Sequence, residues 1–301
     1  MAGQAASSMG SHANQPAAAL IERLFRRISE VSSLPAVAMR IIEVANNPTT
    51  GADDLLDAVR FDAALATRIM RTVNSSYYAL QNKVADLKLA ITLLGFKEIR
   101  NLAMTAYVAQ LFRKGSGYGS YSREGLWNHL IGVGGASQLI AQVSGKSPPA
   151  EAYLAGLVHD LGKILIDQYL HKPFCQIIDR LDGQTSICDL ERETLGFDHT
   201  ELGEFVAVQW HLPEHLTSCI RYHHAPLDYE GPDQEMVCTV ALANFFCNAK
   251  GLTSLGVANK QVPPGRVFGV LGLDKPRIGS IWEQLDETLK VADIMAMARV
   301  G

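Results

Sequence analysis

The 301-residue sequence lacks the features that mark several classes of protein. It has no uninterrupted apolar run of about 18 or more residues, so no membrane span is expected. The N-terminus has neither the basic start nor the apolar core of a signal peptide. No long charge run occurs and the net charge is −4, which argues against a general nucleic-acid-binding surface. We therefore expect a cytoplasmic protein with no membrane or general nucleic-acid partner.

Cysteine is scarce and its spacing is uninformative for metal or disulfide chemistry. The sequence contains no Cys-x-x-Cys pair, and the number of cysteines is odd. The five are Cys175, Cys188, Cys219, Cys238 and Cys247. Three of them lie within apolar helical runs, so the pattern predicts buried free thiols in a reducing compartment.

The apolar residues recur at helical spacing, and the first half shows no convincing alternation of the kind that strands require. We predict an all-α protein. The helices expected in the first half are Ala17–Val31, a helix opened by Ser33-Leu34-Pro35 and ended by Asn46-Asn47-Pro48, Ala52–Val59, Asp62–Val73, Leu87–Leu94 and Lys97–Phe112. Those expected in the second half are Leu126–Gln142, Glu151–Leu170, Lys172–Leu181, Ser186–Leu195, a helix from His199 to Gln209, one opened by Leu212-Pro213, Gln234–Ala249 and one or two helices over Ile278–Arg299.

Composition divides the chain into four parts. Residues 1–16 are rich in Ala, Ser and Gly without periodicity and are expected to be a disordered tail. Residues 17–112 form an N-terminal helical lobe. Residues 113–125 contain the glycines and serines of a hinge, and residues 126–301 form a second helical lobe. Within the second lobe, Lys250 to Leu273 is expected to be irregular.

The stretch Glu151–Leu170 places ionisable side chains inside an apolar helical pattern. His159 and Asp160 are adjacent, and Lys163 follows three residues later. Charges buried in this way are costly unless something compensates them. A divalent metal would do so, because imidazole and carboxylate are both metal ligands. The alternative is that Asp160 only pairs with Lys163 or a nearby amide and that His159 is a histidine of the core.

Further histidines fall on or beside the inward faces of other predicted helices. They are His129, His199, His223 and His224. A single histidine of this kind is more often a core residue than a ligand, but histidine is not a preferred core residue and here the coincidence is repeated. A shared metal site with His159 and Asp160 would account for all of them. The remaining candidates are expected at the surface or in loops: His171, His211 and His215.

Three motifs in the first half occur in order: LPAVAMRIIEVANNP, DAALATRIMRTVNSSYY and AITLLGFKEIRNLAM. Together they resemble the N-terminal half of an HDOD domain, a bacterial signalling module related to the HD metal-dependent phosphohydrolases. The resemblance covers roughly Ser29 to Pro226. It implies an all-helical, HD-like fold with an N-terminal helical lobe. It also implies a regulatory or output role in signal transduction, since most members have no established reaction.

The resemblance also implies a ligand set. His129 matches the first metal histidine of the superfamily, His159-Asp160 matches the pair that names it, and Lys163 matches the lysine that follows. The later ligands of two-metal members of the HD-GYP type match His199 and the His223-His224 pair. Glu124 is adjacent to the position of an extra glutamate ligand, but Gly125 occupies it.

Two departures from the HD-GYP pattern weaken the case for cyclic dinucleotide hydrolysis. The last metal aspartate of that group would fall near Asn244, and the segment HHAPLDYEGP lacks the GYP signature. Both departures bear on hydrolysis more than on metal binding.

Two function classes follow. In the first, the protein is a regulatory module that binds a signalling protein or a small ligand and keeps its metal site as a structural or vestigial feature. In the second, it is a metal-dependent phosphohydrolase in which Asp160 bridges two metals and Lys163 stabilises charge on the phosphate. Either class would hold one or two divalent ions, with iron, manganese, nickel or zinc favoured by the nitrogen-rich ligands.

Overall fold

The structure is a computed structural model that describes residues 22–24, 26, 36–47, 49–74, 82–112, 115, 117–258 and 261–297. It is all-α, with no strand among these residues. The helices are α1 (Ala36–Asn46), α2 (Ala52–Val59), α3 (Ala63–Val73), α4 (Leu87–Leu94), α5 (Phe96–Leu111), α6 (Arg123–Ser144), α7 (Pro149–Val158), α8 (Leu161–Tyr169), α9 (His171–Asp179), α10 (Ile187–Leu195), α11 (His199–Gln209), α12 (Glu214–Tyr222), α13 (Gln234–Ala249), α14 (Gly265–Val270) and α15 (Lys275–Met297). In this part of the chain no helix has the length and apolar character needed to span a bilayer.

Local capping rules account for many of the helix ends. Asp62 begins α3 by accepting a hydrogen bond from the amide of Leu65. Asp86 begins α4 by accepting one from the amide of Leu89. Gly95 separates α4 from α5 with a φ of 82°, a conformation that other residues adopt only with strain. The predicted bounds of α2, α4 and α13 are confirmed, and those of α3 and α5 are confirmed to within one residue.

Part of the predicted N-terminal structure lies outside the described residues. This applies to the tail 1–16, to Ser33-Leu34-Pro35 and to most of the helix Ala17–Val31, of which residues 22–24 and 26 are described and helical. Residues 113, 114 and 116 of the predicted hinge are also outside. The described end of that hinge is helical, because the Ser122 hydroxyl accepts a hydrogen bond from the Gly125 amide and starts α6 at Arg123.

The core divides into two clusters of buried apolar side chains. One is built by α1 to α5 and includes Ile41, Ile69 and Ile91. The larger one surrounds α6 and α7 and extends to α15. Helix α5 belongs to both clusters, because Ala103 packs in the first and Met104 in the second. The four-part division of the chain remains a prediction. The two clusters meet at α5, which contributes side chains to both.

The single helix expected over Glu151–Leu170 is wrong. Helix α7 ends at Val158, and α8 begins at Leu161. Between them His159 keeps α-helical angles, whereas Asp160 has φ −102° and ψ 19°, outside the helical range. The apolar periodicity continues across the break because both helices are buried on the same core, so periodicity alone could not reveal it.

The later segments need smaller corrections. The irregular stretch from Lys250 to Leu273 contains the short helix α14, and α15 starts at Lys275, three residues before the expected position. The cysteines are free thiols, as expected. Four of them are buried, but Cys175 on α9 is only half-buried.

Candidate metal centre

The ends of several helices meet at one buried point beside α6. His129 comes from the middle of α6, where it has no solvent exposure. The break between α7 and α8 presents His159 and Asp160 together. His199 is the first residue of α11, and the His223-His224 pair follows the end of α12. The structure thus brings together all the side chains that the sequence predicted as ligands.

A glycine allows the two central helices to approach closely enough for this. A Cβ atom at Gly162, on the first turn of α8, would lie 1.9 Å from the carbonyl oxygen of His199. No side chain fits in that space, so α8 and α11 contact each other backbone to backbone at this position. The contact holds His199 opposite Asp160.

The Oδ2 atom of Asp160 faces the first donor group, which consists of His129 and His159. Their Nε2 atoms lie 3.8 Å and 3.4 Å from this oxygen. The three residues can offer one donor atom each, with all of these atoms within 4.8 Å of one another. Donor atoms on a tetrahedral ion with bonds of about 2.1 Å are about 3.4 Å apart, so the spacing suits a metal.

The Oδ1 atom of Asp160 faces the second donor group, which consists of His199, His223 and His224. The Nε2 atoms of His199 and His223 both lie 3.3 Å from this oxygen. The Nε2 atom of His224 lies 3.2 Å from that of His199. Asp160 and these three histidines can likewise offer one donor atom each, all within 4.8 Å of one another. One carboxylate therefore lies between two sets of donors, as a bridging ligand does.

The outer nitrogens of the histidines fix which ring atoms are free to bind. Three of the rings place Nδ1 against a backbone carbonyl: His129 on Leu252 at 2.8 Å, His159 on Gly156 at 2.7 Å and His223 on Ile220 at 3.0 Å. A carbonyl can only accept, so each Nδ1 carries the proton and each Nε2 presents a lone pair to Asp160. Metal-binding histidines are held in this way by their surroundings.

Among the described residues these lone pairs have no hydrogen-bond partner. In the cluster of six ligands the unpartnered atoms are Nε2 of His129, His159 and His223, and Oδ1 of Asp160. Several acceptor atoms facing one another without a proton repel each other, and burial without compensation is costly. A divalent cation would satisfy all of them at once. The residues therefore fit a metal ion on the chemistry of the donor set alone.

Lys163 places an ammonium group in the cluster. Its Nζ donates to Asp160 Oδ2 at 2.6 Å and to the Ser254 hydroxyl at 3.1 Å. Burial raises the pKa of Asp160, but His159, Lys163 and hydrogen bonds outweigh burial and hold this pKa well below its usual range. Asp160 is therefore a carboxylate, which is the form that binds metals.

The histidines differ in their proton affinity. Burial lowers the pKa of His129 to about 3 and that of His223 to about 4, so both are neutral at physiological pH. Burial also lowers the pKa of His199, but the carboxylates of Glu191 and Asp160 outweigh it and raise the pKa to about 9. The two donor groups therefore have different electrostatic surroundings.

Sequence reasoning missed the groups that hold the ligands. Glu191, on α10, accepts hydrogen bonds from both the Nδ1 and the backbone amide of His199, at 2.5 Å and 2.9 Å. Leu252 and Ser254 reach the cluster from the segment after α13. The sequence signal that could have indicated the burial of Glu191 is its place on the inward side of an amphipathic helix, eight residues before His199.

Asn244 lies near the centre, as the resemblance implied, and lines a cleft with His223 and His224. Its side-chain oxygen accepts a hydrogen bond from Asn248 at 2.8 Å. The cleft reaches the second donor group between α13 and residues 261–264. The amide oxygen is thus engaged along the helix, which leaves Asp160 as the only carboxylate among the six gathered ligands.

The other candidates lie away from the cluster. Glu124 is exposed, and His211 is exposed with a positive φ of 53°. The side chain of His171 is 56% exposed and pairs with Asp167. His215 is half-buried and lies 3.3 Å from Glu151, so it belongs to the contact between α7 and α12, not to the free surface that was expected.

Solved structures of similar fold come from several bacteria. An HDOD domain protein of unknown function from Geobacter sulfurreducens is 27% identical, with a TM-score of 0.73 over 91% of this chain and 97% of its own. A candidate signal transduction protein from Marinobacter aquaeolei is 26% identical, with a TM-score of 0.76 over 93% of this chain and 64% of its own. A candidate metal-dependent phosphohydrolase from Shewanella amazonensis, 19% identical, shares the fold, with a TM-score of 0.59 over 93% of this chain and 99% of its own.

Among curated proteins, an uncharacterized protein of Treponema pallidum is 25% identical over 73% of this chain and 42% of its own length. The uncharacterized protein YuxH of Bacillus subtilis is 31% identical over 40% of this chain and 27% of its own. The chain therefore spans less than half the length of these relatives. The family model of the HDOD domain matches residues 31–226, which is more than half of the sequence and includes all six gathered ligands. The chain belongs to the HDOD domain family.

Proposed function

We propose that this HDOD chain is a regulatory signal-transduction module whose His/Asp centre holds a divalent metal ion. In this proposal the ion stabilises the fold, and the output is the binding of a signalling protein or a small ligand. The Marinobacter relative, a candidate signal transduction protein, has a similar fold over 93% of this chain. The nitrogen-rich donor set favours iron, manganese, nickel or zinc.

The observation that carries the proposal is the composition of the second donor group. It provides four protein donors, from Asp160, His199, His223 and His224, within 4.8 Å of one another. The first three of these side chains are almost completely buried. Structural metal sites are closed by four protein ligands, whereas catalytic sites keep one position open. A donor group in which the protein itself supplies four ligands supports a structural or regulatory ion.

Helix α7 offers a physical route from the N-terminal helices to this centre. Its first turn is attached to α5, because Arg100 pairs with Glu151 at 2.7 Å and Asn101 donates to the carbonyl of Ala150. Its last turn leads directly into His159. A partner that moves α5 would therefore act on a helix that ends at the metal ligands, which is what a regulatory module requires.

A specific observation favours metal-dependent phosphohydrolase activity as the second candidate. The first donor group consists of His129, His159 and Asp160, so a four-coordinate ion held there would keep one position open. A cleft also reaches His223 and His224 of the second donor group. Metal ions in such a site supply a water of lowered pKa and polarise a phosphoryl oxygen. The chain itself would orient Asp160 through Lys163, and the Lys163 ammonium would stabilise charge on the phosphate.

Elemental analysis of protein purified without chelator tests the metal centre that both candidates share. Incubation of the metal-loaded protein with cyclic dinucleotides and a generic phosphodiester then separates them. The regulatory proposal predicts a bound transition metal and no multiple turnovers. Turnover by the unchanged chain that disappears in Asp160→Ala would overturn it in favour of the hydrolase. Absence of any bound metal would contradict both.

A further inference from the structure

The ring of His199 is held differently from the rings of three other inward histidines. His129, His159 and His223 each use a neutral backbone carbonyl. His199 instead places its Nδ1 2.5 Å from Oε2 of Glu191. The same oxygen also accepts the backbone amide of His199 at 2.9 Å. The carboxylate therefore fixes both the ring and the start of α11.

The charge of Glu191 is poorly compensated by anything else. The side chain is completely buried, and its Oε1 has no hydrogen-bond partner among the described residues. The nearest guanidinium along its own helix, that of Arg192, pairs with Asp189 and Asp198 instead. A buried carboxylate with one satisfied oxygen is costly unless a cation lies nearby. The hydrogen bonds of Glu191 show one path toward such a cation, and it runs through the ring of His199.

That path leads to the second donor group. Nε2 of His199, on the far side of the ring from Glu191, lies 3.3 Å from Asp160 Oδ1 and 3.2 Å from Nε2 of His224. A carboxylate that accepts from a ligating histidine raises the basicity of the ring and fixes its tautomer. In the part of the chain that the structure describes, the histidines of the first donor group have carbonyl oxygens behind them and no carboxylate.

We propose that Glu191 is a positioning residue that makes the second donor group the tighter of two unequal metal sites. The inference rests on the proposed metal centre. In it, Glu191 holds the ring of His199 with its Nε2 toward Asp160 and adds a negative charge behind the ring. This charge partly replaces the one that neutral Asn244 does not provide in the cleft beside His223 and His224.

Titration of the metal-free full-length chain with Co²⁺ tests the inference, because the visible absorption of bound Co²⁺ reports its ligand environment. Glu191→Gln keeps an oxygen that can accept from His199 but removes the charge. We expect it to bind the first Co²⁺ equivalent about tenfold to hundredfold more weakly than the unchanged protein. The matched control is Glu193→Gln on the same helix, where the side chain is 60% exposed and pairs with Arg180. It should bind like the unchanged protein.

The melting temperature in chelator separates positioning from folding. A positioning role predicts that Glu191→Gln unfolds in chelator close to the unchanged protein and differs from it mainly when Co²⁺ is present. If Glu191→Gln does not fold, Glu191→Asp, which keeps the charge but moves it away from His199, decides the question by the same titration.

Two outcomes would overturn the inference, and they differ in meaning. Unchanged Co²⁺ affinity and spectrum in the folded Glu191 variant would refute the role of Glu191 and leave the metal centre standing. Failure of the unchanged protein to bind Co²⁺ would refute the metal centre and, with it, the inference.

Discussion

Helices α1 to α4 and the helices around Asp160 bury different kinds of side chain. In α1 to α4, every buried side chain that the structure describes is apolar. Around the centre, histidines, Asp160, Lys163 and Glu191 are buried among the apolar residues. The first region can be stabilised by apolar burial alone, whereas the second contains charges that need a compensating ion. Metal dependence should therefore be confined to the second region.

The largest effect should come from removing the carboxylate between the two donor groups. Asp160→Asn takes away the charge that His129, His159, His199 and His223 approach at 3.3 to 3.8 Å. It also leaves the ammonium of Lys163 buried without its carboxylate partner. We expect loss of bound metal, and a decrease in the free energy of unfolding of about 3–5 kcal/mol. Elemental analysis and chemical denaturation would measure these effects.

Asp189→Asn is a suitable control for that change, because this side chain on α10 is 60% exposed. It should keep both metal content and stability. Full metal content in Asp160→Asn would show that the centre does not depend on the bridging carboxylate.

A core substitution in the first region should separate stability from metal binding. Ile41 is completely buried in the cluster built by α1 to α5. Ile41→Ala should lower the free energy of unfolding by about 2–5 kcal/mol through lost burial and a cavity. Metal content per folded molecule should not change. A loss of metal in the folded variant would show that the two regions are coupled more strongly than their separate cores indicate.

An added negative charge in the cleft should increase the metal content of the second region. Asn244→Asp places a second carboxylate beside His223 and His224, where the amide is now neutral. Two divalent ions repel each other, so another negative charge helps to hold both. We expect metal content to rise from near one ion toward two. Asn248→Asp, one helical turn further along α13, is the comparison, and an equal rise in both variants would rule out a specific role for position 244.

The smallest effect concerns the junction between the regions. Burial raises the pKa of Glu151, but His215 and Arg100 outweigh it and lower the pKa to about 2. Because this folded-state value lies below that of an unfolded glutamate, the stabilisation is complete above about pH 4.5 and is lost as the pH falls toward 2. After allowance for solvent screening it amounts to about 1 kcal/mol.

Acid denaturation of Glu151→Gln would measure this contribution. The variant should be less stable than the unchanged protein near neutral pH and should lose less stability between pH 4.5 and 2. Parallel acid-denaturation curves for the two proteins would show that Glu151 does not stabilise the junction.

The sequence by itself determined most of the helices and the inward placement of the clustered histidines. Both follow from neighbours within about four residues, because helical periodicity and capping are local. This is why the bounds of α2, α4 and α13 agree with the structure and why His129 and His199 face inward.

Only the tertiary structure decided how the donor atoms are arranged. The break at Asp160, the division of the histidines between its two oxygens, and the carboxylate of Glu191 behind His199 all depend on helices that are distant in sequence. The close approach of α8 and α11 at Gly162 places these groups within a few ångströms of one another. Periodicity gives the direction of a side chain, but distances between atoms depend on how helices pack.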